Sequence, residues 1–133
     1  MSDLAHRECP FCAMPGERVL AKNDLVFAVL DAYPISEGHA LFIPYRHVAS
    51  FLELTPAETS AAFELLRVVR EILDARHRPA GYNLGVNVGQ AAGQTVMHAH
   101  LHLIPRYAGD IPDPVGGIRN VVSGKGRYPM HES

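Results

Sequence analysis

The chain contains no tryptophan and only two cysteines among its 133 residues, and its net charge is −2 with histidine neutral. It also lacks any long apolar run. A membrane-spanning helix needs about 20 consecutive apolar residues, so no span is expected. The N-terminus has no signal-peptide core either, and the expected location is the cytoplasm. Without a basic surplus there is no electrostatic footprint for nucleic acid. Neither nucleic acid nor membrane is an expected partner. The two cysteines stand together as Cys9-Pro10-Phe11-Cys12, which is not a disulfide framework. No internal repeat or low-complexity tract interrupts the chain. Its length predicts one domain over residues 1–133, with a core at about 9–107, a polar start over residues 1–8 that frays, and a Pro- and Gly-rich tail over residues 108–133 packed on something already folded.

What the chain does have is histidine, and the histidines are concentrated. In residues 93–106, His98, His100 and His102 alternate with Ala99, Leu101 and Leu103. Alternation is the period of a β-strand, which predicts one face of imidazoles and one of aliphatics. Neighbours on one face lie about 6.7 Å apart, too far for all three rings to bind one ion without distortion. Neutral imidazole is a nucleophile near pH 7 and leaves readily once protonated, so a row of rings suits group transfer. Gly89, Gly93, Gln94 and Thr95 form a small-residue turn just upstream, whose donors can approach an anionic oxygen. Phosphate donors beside a nucleophilic histidine point to phosphoryl or nucleotidyl transfer. The blander reading is a buried histidine ladder or a His-x-His metal site.

The rest of the chain predicts an α+β fold: an antiparallel sheet of about five strands with one long helix across it. Residues 18–22 and 25–30 read as a hairpin turning at Asn23-Asp24. Residues 38–44 read as a third strand, 82–88 as a fourth and 96–104 as a fifth. Thr55-Pro56-Ala57-Glu58 is a helix start, with N-cap Thr, Pro at the first position and Glu in capping-box register. Ala62, Leu65, Leu66, Val69, Ile72 and Leu73 then follow a helical period, and Pro79 ends it. His77 is expected to be solvated and Arg106 to be a surface charge. Cys9 and Cys12 make either a metal knuckle or a redox pair, or are two free thiols in a reducing cell. No thioredoxin-like βαβ pattern surrounds them.

The run His98-Ala-His100-Leu-His102-Leu-Ile resembles the signature of the histidine triad (HIT) family. The similarity extends to Ala92-Gly93-Gln94-Thr95-Val96 and, more weakly, from Cys9 to about Asn120. Pro105-Arg106-Tyr107-Ala108-Gly109-Asp110 resembles the branch that hydrolyses dinucleoside polyphosphates. The tryptophan-containing C-terminal motif of the phosphoramidase branch is missing. The resemblance implies a HIT-like fold, a homodimer whose sheets continue across the interface, and hydrolysis at a nucleotide α-phosphate through a nucleotidyl-histidine. His100 would be the nucleophile and His102 a phosphate ligand, with His39 and His98 supporting the row.

By the same resemblance Gln94 and Thr95 would donate to phosphate, Asp31 and Asn87 would orient the nucleoside, and Phe11, Val29 and Ala32 would wall the base. Cys9, Cys12, His47 and His98 would hold a structural Zn²⁺, a closed Cys₂His₂ set. On the residues alone, Asp31 serves equally as a cap of the loop that follows, and His39 as an exposed strand-end ring. The substrate would be a dinucleoside polyphosphate such as diadenosine tetraphosphate. A phosphoramidase and a non-catalytic nucleotide sensor are the alternatives, and a zinc-dependent interaction protein is a third. DNA-adenylate repair would call for a basic groove, which is absent.

Overall fold

The computed structural model describes residues 8–129, and the first seven residues of the expected frayed start lie outside them. Among the described residues, five strands, β1 (Val19–Lys22), β2 (Val26–Leu30), β3 (Ala40–Pro44), β4 (Gly81–Val86) and β5 (Leu101–Arg106), and one long helix, α1 (Pro56–His77), form the frame. The strands pair antiparallel throughout in the order β1-β2-β3-β5-β4. This is the α+β architecture expected, an antiparallel sheet of five strands with one long helix across it. No helix among the described residues is long and apolar enough to cross a membrane.

The two faces of the sheet differ. Val26, Ala28, Ala40, Phe42, Leu101 and Leu103 point to α1 and bury its stripe of Ala61, Ala62, Leu65, Leu66, Val69 and Leu73. Fully burying one such leucine contributes about 1.5–3 kcal/mol, so this face supplies most of the core. Among the described residues no long helix covers the opposite face. There Phe27, Val29, Leu41 and Ile43 form a smaller cluster, roofed by Phe11, Met14 and Val19. Register places Val29 opposite Leu41, Leu41 opposite His102, and His102 opposite Gly85. The last triad histidine therefore belongs to the uncovered face.

The helix begins as expected. Thr55 Oγ1 accepts from the Glu58 N–H at 3.1 Å, and Glu58 Oε1 accepts from the Thr55 N–H at 2.9 Å. The same carboxylate is forked by Arg46, whose Nη2 and Nε donate at 2.8 and 3.1 Å. That guanidinium, chiefly, holds buried Glu58 down at about 2. Arg46 thereby ties the segment carrying His47 to the helix start, a role invisible in the sequence. At the far end Arg78 takes a left-handed conformation, φ 49°, before Pro79.

Several local expectations change. His77 is not solvated: Nδ1 lies 3.2 Å from a carboxylate oxygen of Glu37, and the ring packs near Gly38. Arg106 is not a free surface charge. It donates twice to Asp110 at 2.8 Å and to Asn83 Oδ1 at 2.8 Å, stapling the chain where it leaves β5. The fourth strand ends at Val86, two residues earlier than read. In the region read as tail, a 3-10 turn at Gly117–Val121 packs on β4, with Ile118 filling the space that Gly85 leaves bare.

Candidate active site and metal centre

The fifth strand starts at Leu101, not at residue 96. Pro44 has no N–H, and its carbonyl accepts from His98 Nε2 at 2.8 Å, so the β3–β5 ladder ends beside Phe42 and Leu101. Residues 94–100 instead bend across the end of the sheet. Gln94 holds the bend: its Oε1 accepts from the Gly89 N–H at 2.9 Å, and its Nε2 donates to Ala49 O at 2.7 Å and Val96 O at 3.0 Å. Gly89 and Gly93, at φ 91° and 94°, allow the turn before it. Strict alternation therefore fails at His98, which is fully buried beside the equally buried Ala99.

Hydrogen bonds assign the ring protons. The Ile35 N–H donates to His39 Nδ1 at 3.2 Å, so the His39 proton is on Nε2. That Nε2–H lies 2.9 Å from His102 Nδ1 and donates to it. His102 then carries its own proton on Nε2, a buried nitrogen without a protein partner among the described residues. His100 Nδ1 donates to the His98 carbonyl at 2.9 Å, which leaves the lone pair on Nε2. A lone-pair nitrogen and an uncommitted N–H thus stand on adjacent rings, their centroids 5.0 Å apart.

Electrostatics keeps these rings neutral. Burial lowers His100 and His39 below the usual imidazole value, against the opposing pull of Asp31 on both and of the His98 carbonyl on His100. Burial, then the neighbouring His100 and His39, lowers His102 to about 4. A folded-state pKa below the unfolded value of 6.5 means that the unfolded chain binds more protons at acid pH. Stability should therefore be full above pH 6.5 and fall as pH drops toward about 4. Urea midpoints measured across that window at fixed metal content should decline. The decline should be smaller in His102→Asn, which has no ring to protonate.

Asp31 does two things at once. Its Oδ1 accepts from the Tyr33 N–H at 2.9 Å, capping the loop, while Oδ2 sits 3.6 Å from His39 Nε2. Asp31, His39 and His102 lie close enough to suggest a metal. The hydrogen bonds argue otherwise. With Nδ1 accepting from Ile35, a metal on His39 Nε2 would demand an imidazolate, so this group is a proton chain.

The second cluster fits a metal. His98 Nδ1 lies 3.4 Å from Cys9 Sγ, 3.6 Å from Cys12 Sγ and 3.2 Å from His47 Nδ1, and His47 Nδ1 lies 3.1 Å from Cys12 Sγ. A tetrahedral ion at ordinary Zn–S and Zn–N lengths would set such edges at about 3.3–3.6 Å. His98 Nε2–H is held by the Pro44 carbonyl, the usual outer partner of a ligating imidazole. Burial and the adjacent Cys9 push the Cys12 thiol up to about 11. Cys9, Cys12, His47 and His98 could therefore hold one ion.

A cavity of about 580 Å³ opens on the uncovered face. Of the residues expected in a nucleotide site, Phe11, Val29, Asp31, Ala32, Asn87, Thr95, His100 and His102 line it together. His39 and His98 are buried behind it. Gln94, expected to donate to phosphate, is also buried, with its amide committed to three backbone groups. The sequence reading missed Pro10, Met14 and Arg18, which also line the cavity. Their nearness to the Cys9-x-x-Cys12 turn was the available signal.

A five-stranded antiparallel sheet with one helix, and a histidine row opening into a cavity on the bare face, defines a class of small histidine-centred domains. The HIT domain family model matches residues 15–109, and the chain belongs to that family. It is 37% identical over 93 residues to a Mycobacterium tuberculosis AP-4-A phosphorylase, covering 69% of this chain and 48% of that one. It is 36% identical over 98 residues to a Schizosaccharomyces pombe bis(5'-nucleosyl)-tetraphosphatase (asymmetrical), covering 74% and 54%. The chain thus spans about half the length of these two enzymes. Among solved structures, a Zn-bound histidine triad family protein from Mycobacterium smegmatis superposes with a TM-score of 0.70 at 29% identity, covering 81% of this chain and 86% of that one.

Proposed function

We propose that the protein cleaves dinucleoside polyphosphates at an α-phosphate through a nucleotidyl-histidine formed on His100. One observation carries the reading: His100, tied at Nδ1 to the His98 carbonyl, keeps its Nε2 lone pair beside the His102 Nε2–H, which has no partner among the described residues. His100 Nε2 forms the bond to phosphorus as the bond to the leaving phosphate breaks. The phosphoryl oxygens gain charge, and His102 Nε2–H and Thr95 stabilise it. Water then displaces the imidazole, releasing the mononucleotide. Two inversions leave net retention at phosphorus. His39 holds the His102 tautomer, Asp31 and Asn87 orient the nucleoside, and Phe11, Val29 and Ala32 enclose the base. The tetraphosphatase and phosphorylase relatives support the substrate class.

The test is a comparison of rates on diadenosine polyphosphates of different length and on an adenosine phosphoramidate, with and without inorganic phosphate. Faster cleavage of the dinucleotides, giving AMP, is expected. ADP formed only when phosphate is added would replace water by phosphate as the acceptor. A faster phosphoramidate would overturn the leaving-group assignment. Nucleotide binding without turnover would favour a sensor.

The ion at Cys9, Cys12, His47 and His98 is zinc in this reading, held for structure, because the set is closed and leaves no open position for chemistry. Asp31→Ala should raise KM several-fold more than it lowers kcat, since ribose contacts exist in ground and transition states alike. Steady-state kinetics on a diadenosine polyphosphate checks this; a dominant loss of kcat would place Asp31 in the chemistry through His39. The protein is a homodimer in this reading, formed where the free edge of β4 can be paired. Light scattering at micromolar concentration should give twice the chain mass.

A further inference from the structure

We infer that the Cys9-x-x-Cys12 turn is a wall of the nucleotide cavity as well as half of the metal centre, so that metal and nucleotide bind with positive linkage. The inference rests on the proposed nucleotide reading and on the Cys₂His₂ set. Pro10 and Phe11 lie between the two cysteines, and Ala13, Met14 and Pro15 follow directly. All five line the cavity. Phe11 stands edge-on to both His98 and His100, with ring centroids 5.8 and 4.9 Å apart, and packs with Met14 on Phe27, Val29, Leu41 and Ile43.

Among the described residues, the backbone hydrogen bonds of residues 9–15 run within the turn and to Arg18. Its ties to the body are apolar packing and the two thiols, which meet His47 and His98. Bridging those four donors fixes the wall against the sheet. The bridge also reaches the reacting ring: His98 offers Nδ1 to the thiols, and its own carbonyl accepts the His100 Nδ1–H. Phe11 is therefore a positioning residue. Losing the ion unties the wall from the His98 ring, which stays bonded to the Pro44 carbonyl, and a nucleotide pressed between wall and sheet holds the wall in place. By thermodynamic reciprocity each ligand must then tighten the other by the same factor.

The test uses the full chain, with Zn²⁺ and AMP as probes. AMP affinity is measured by calorimetry with zinc loaded and after chelation, and zinc affinity by competition with a chromophoric chelator with and without saturating AMP. Metal removal should weaken AMP roughly tenfold, and AMP should tighten zinc by the same factor. The downfield proton signal of His100 Nδ1–H should broaden or vanish without metal. If the metal-free chain unfolds, zinc-loaded Phe11→Leu decides: it keeps every metal ligand, yet the factor by which AMP tightens zinc should shrink toward one. Linkage through global unfolding alone would leave that factor intact in F11L and overturn the inference. Equal AMP affinity with and without zinc would overturn it too, with the nucleotide reading standing. A loaded chain that binds no AMP would overturn the nucleotide reading instead, and a chain that takes up no zinc the metal assignment; the inference falls with either.

Discussion

Replacing His100 with Asn should abolish turnover, by at least about 10⁴-fold in kcat, while nucleotide binds within a few-fold of the original affinity. Asn keeps a polar side chain of smaller volume and removes the lone-pair nitrogen. No neighbouring group can take over. His102 has its lone pair occupied by the His39 Nε2–H, and His98 faces the thiols with Nδ1 and Pro44 with Nε2. The cavity walls remain: Phe11 loses its edge contact with the His100 ring but still packs on His98 and on the cluster of Val29 and Leu41, Val29 is held in β2, and Asp31 is held by the Tyr33 N–H. A loss of that size corresponds to about 5.4 kcal/mol of transition-state stabilisation. Label from an α-³²P substrate, quenched at alkaline pH to preserve phosphoramidates, should be trapped on His100 in the parent chain and be absent from the variant. Near-parental turnover by His100→Asn would refute the covalent mechanism and the assignment together. His102→Asn should cost less, since it removes a stabilising donor and not the nucleophile.

Chelation should lower the melting temperature by roughly 10–20 °C. An ion present at a thousandfold excess over its dissociation constant stabilises the folded chain by about 4 kcal/mol, and a chain of this length shifts by about 3–5 °C per kcal/mol. The chain should survive as a folded molecule, because the α1 face of the sheet is built without the ligands. His98→Ala should be costlier than His47→Ala: its ring is fully buried and also satisfies the Pro44 carbonyl. Scanning calorimetry with and without chelator, together with elemental analysis of protein purified without chelator, measures both. Metal-free protein with an unmoved melting temperature would remove the metal centre from the account.

The sequence reading succeeded where signals are local. The helix start at Thr55 and Glu58, the stop at Pro79 and the apolar stripe between them are contacts within a few residues of one another. It failed where a distant group intervenes. Read along the chain, His98, Ala99 and His100 look like strand. They bend because Pro44, more than 50 positions earlier, offers a carbonyl to the His98 ring and because Gln94 clasps Gly89, Ala49 and Val96. Arg106 and His77 looked solvent-exposed because Asp110 and Glu37, their partners, are brought to them only by the folded chain.

By itself the sequence determined that a row of imidazoles follows a glycine turn, that two thiols stand three positions apart, and that a sheet with one long helix carries them, since periodicity and capping are properties of short segments. Tertiary structure alone decided which nitrogen of each ring bears its proton. That choice depends on the Ile35 amide, the His98 carbonyl and the Pro44 carbonyl, groups whose positions follow from strand register and from the bend before β5. It also decided that the thiols meet His47 and His98, and that the turn between them roofs the bare face of the sheet. A ring's chemistry is set by the hydrogen bond on its other nitrogen, and the partner in that bond is supplied by the fold.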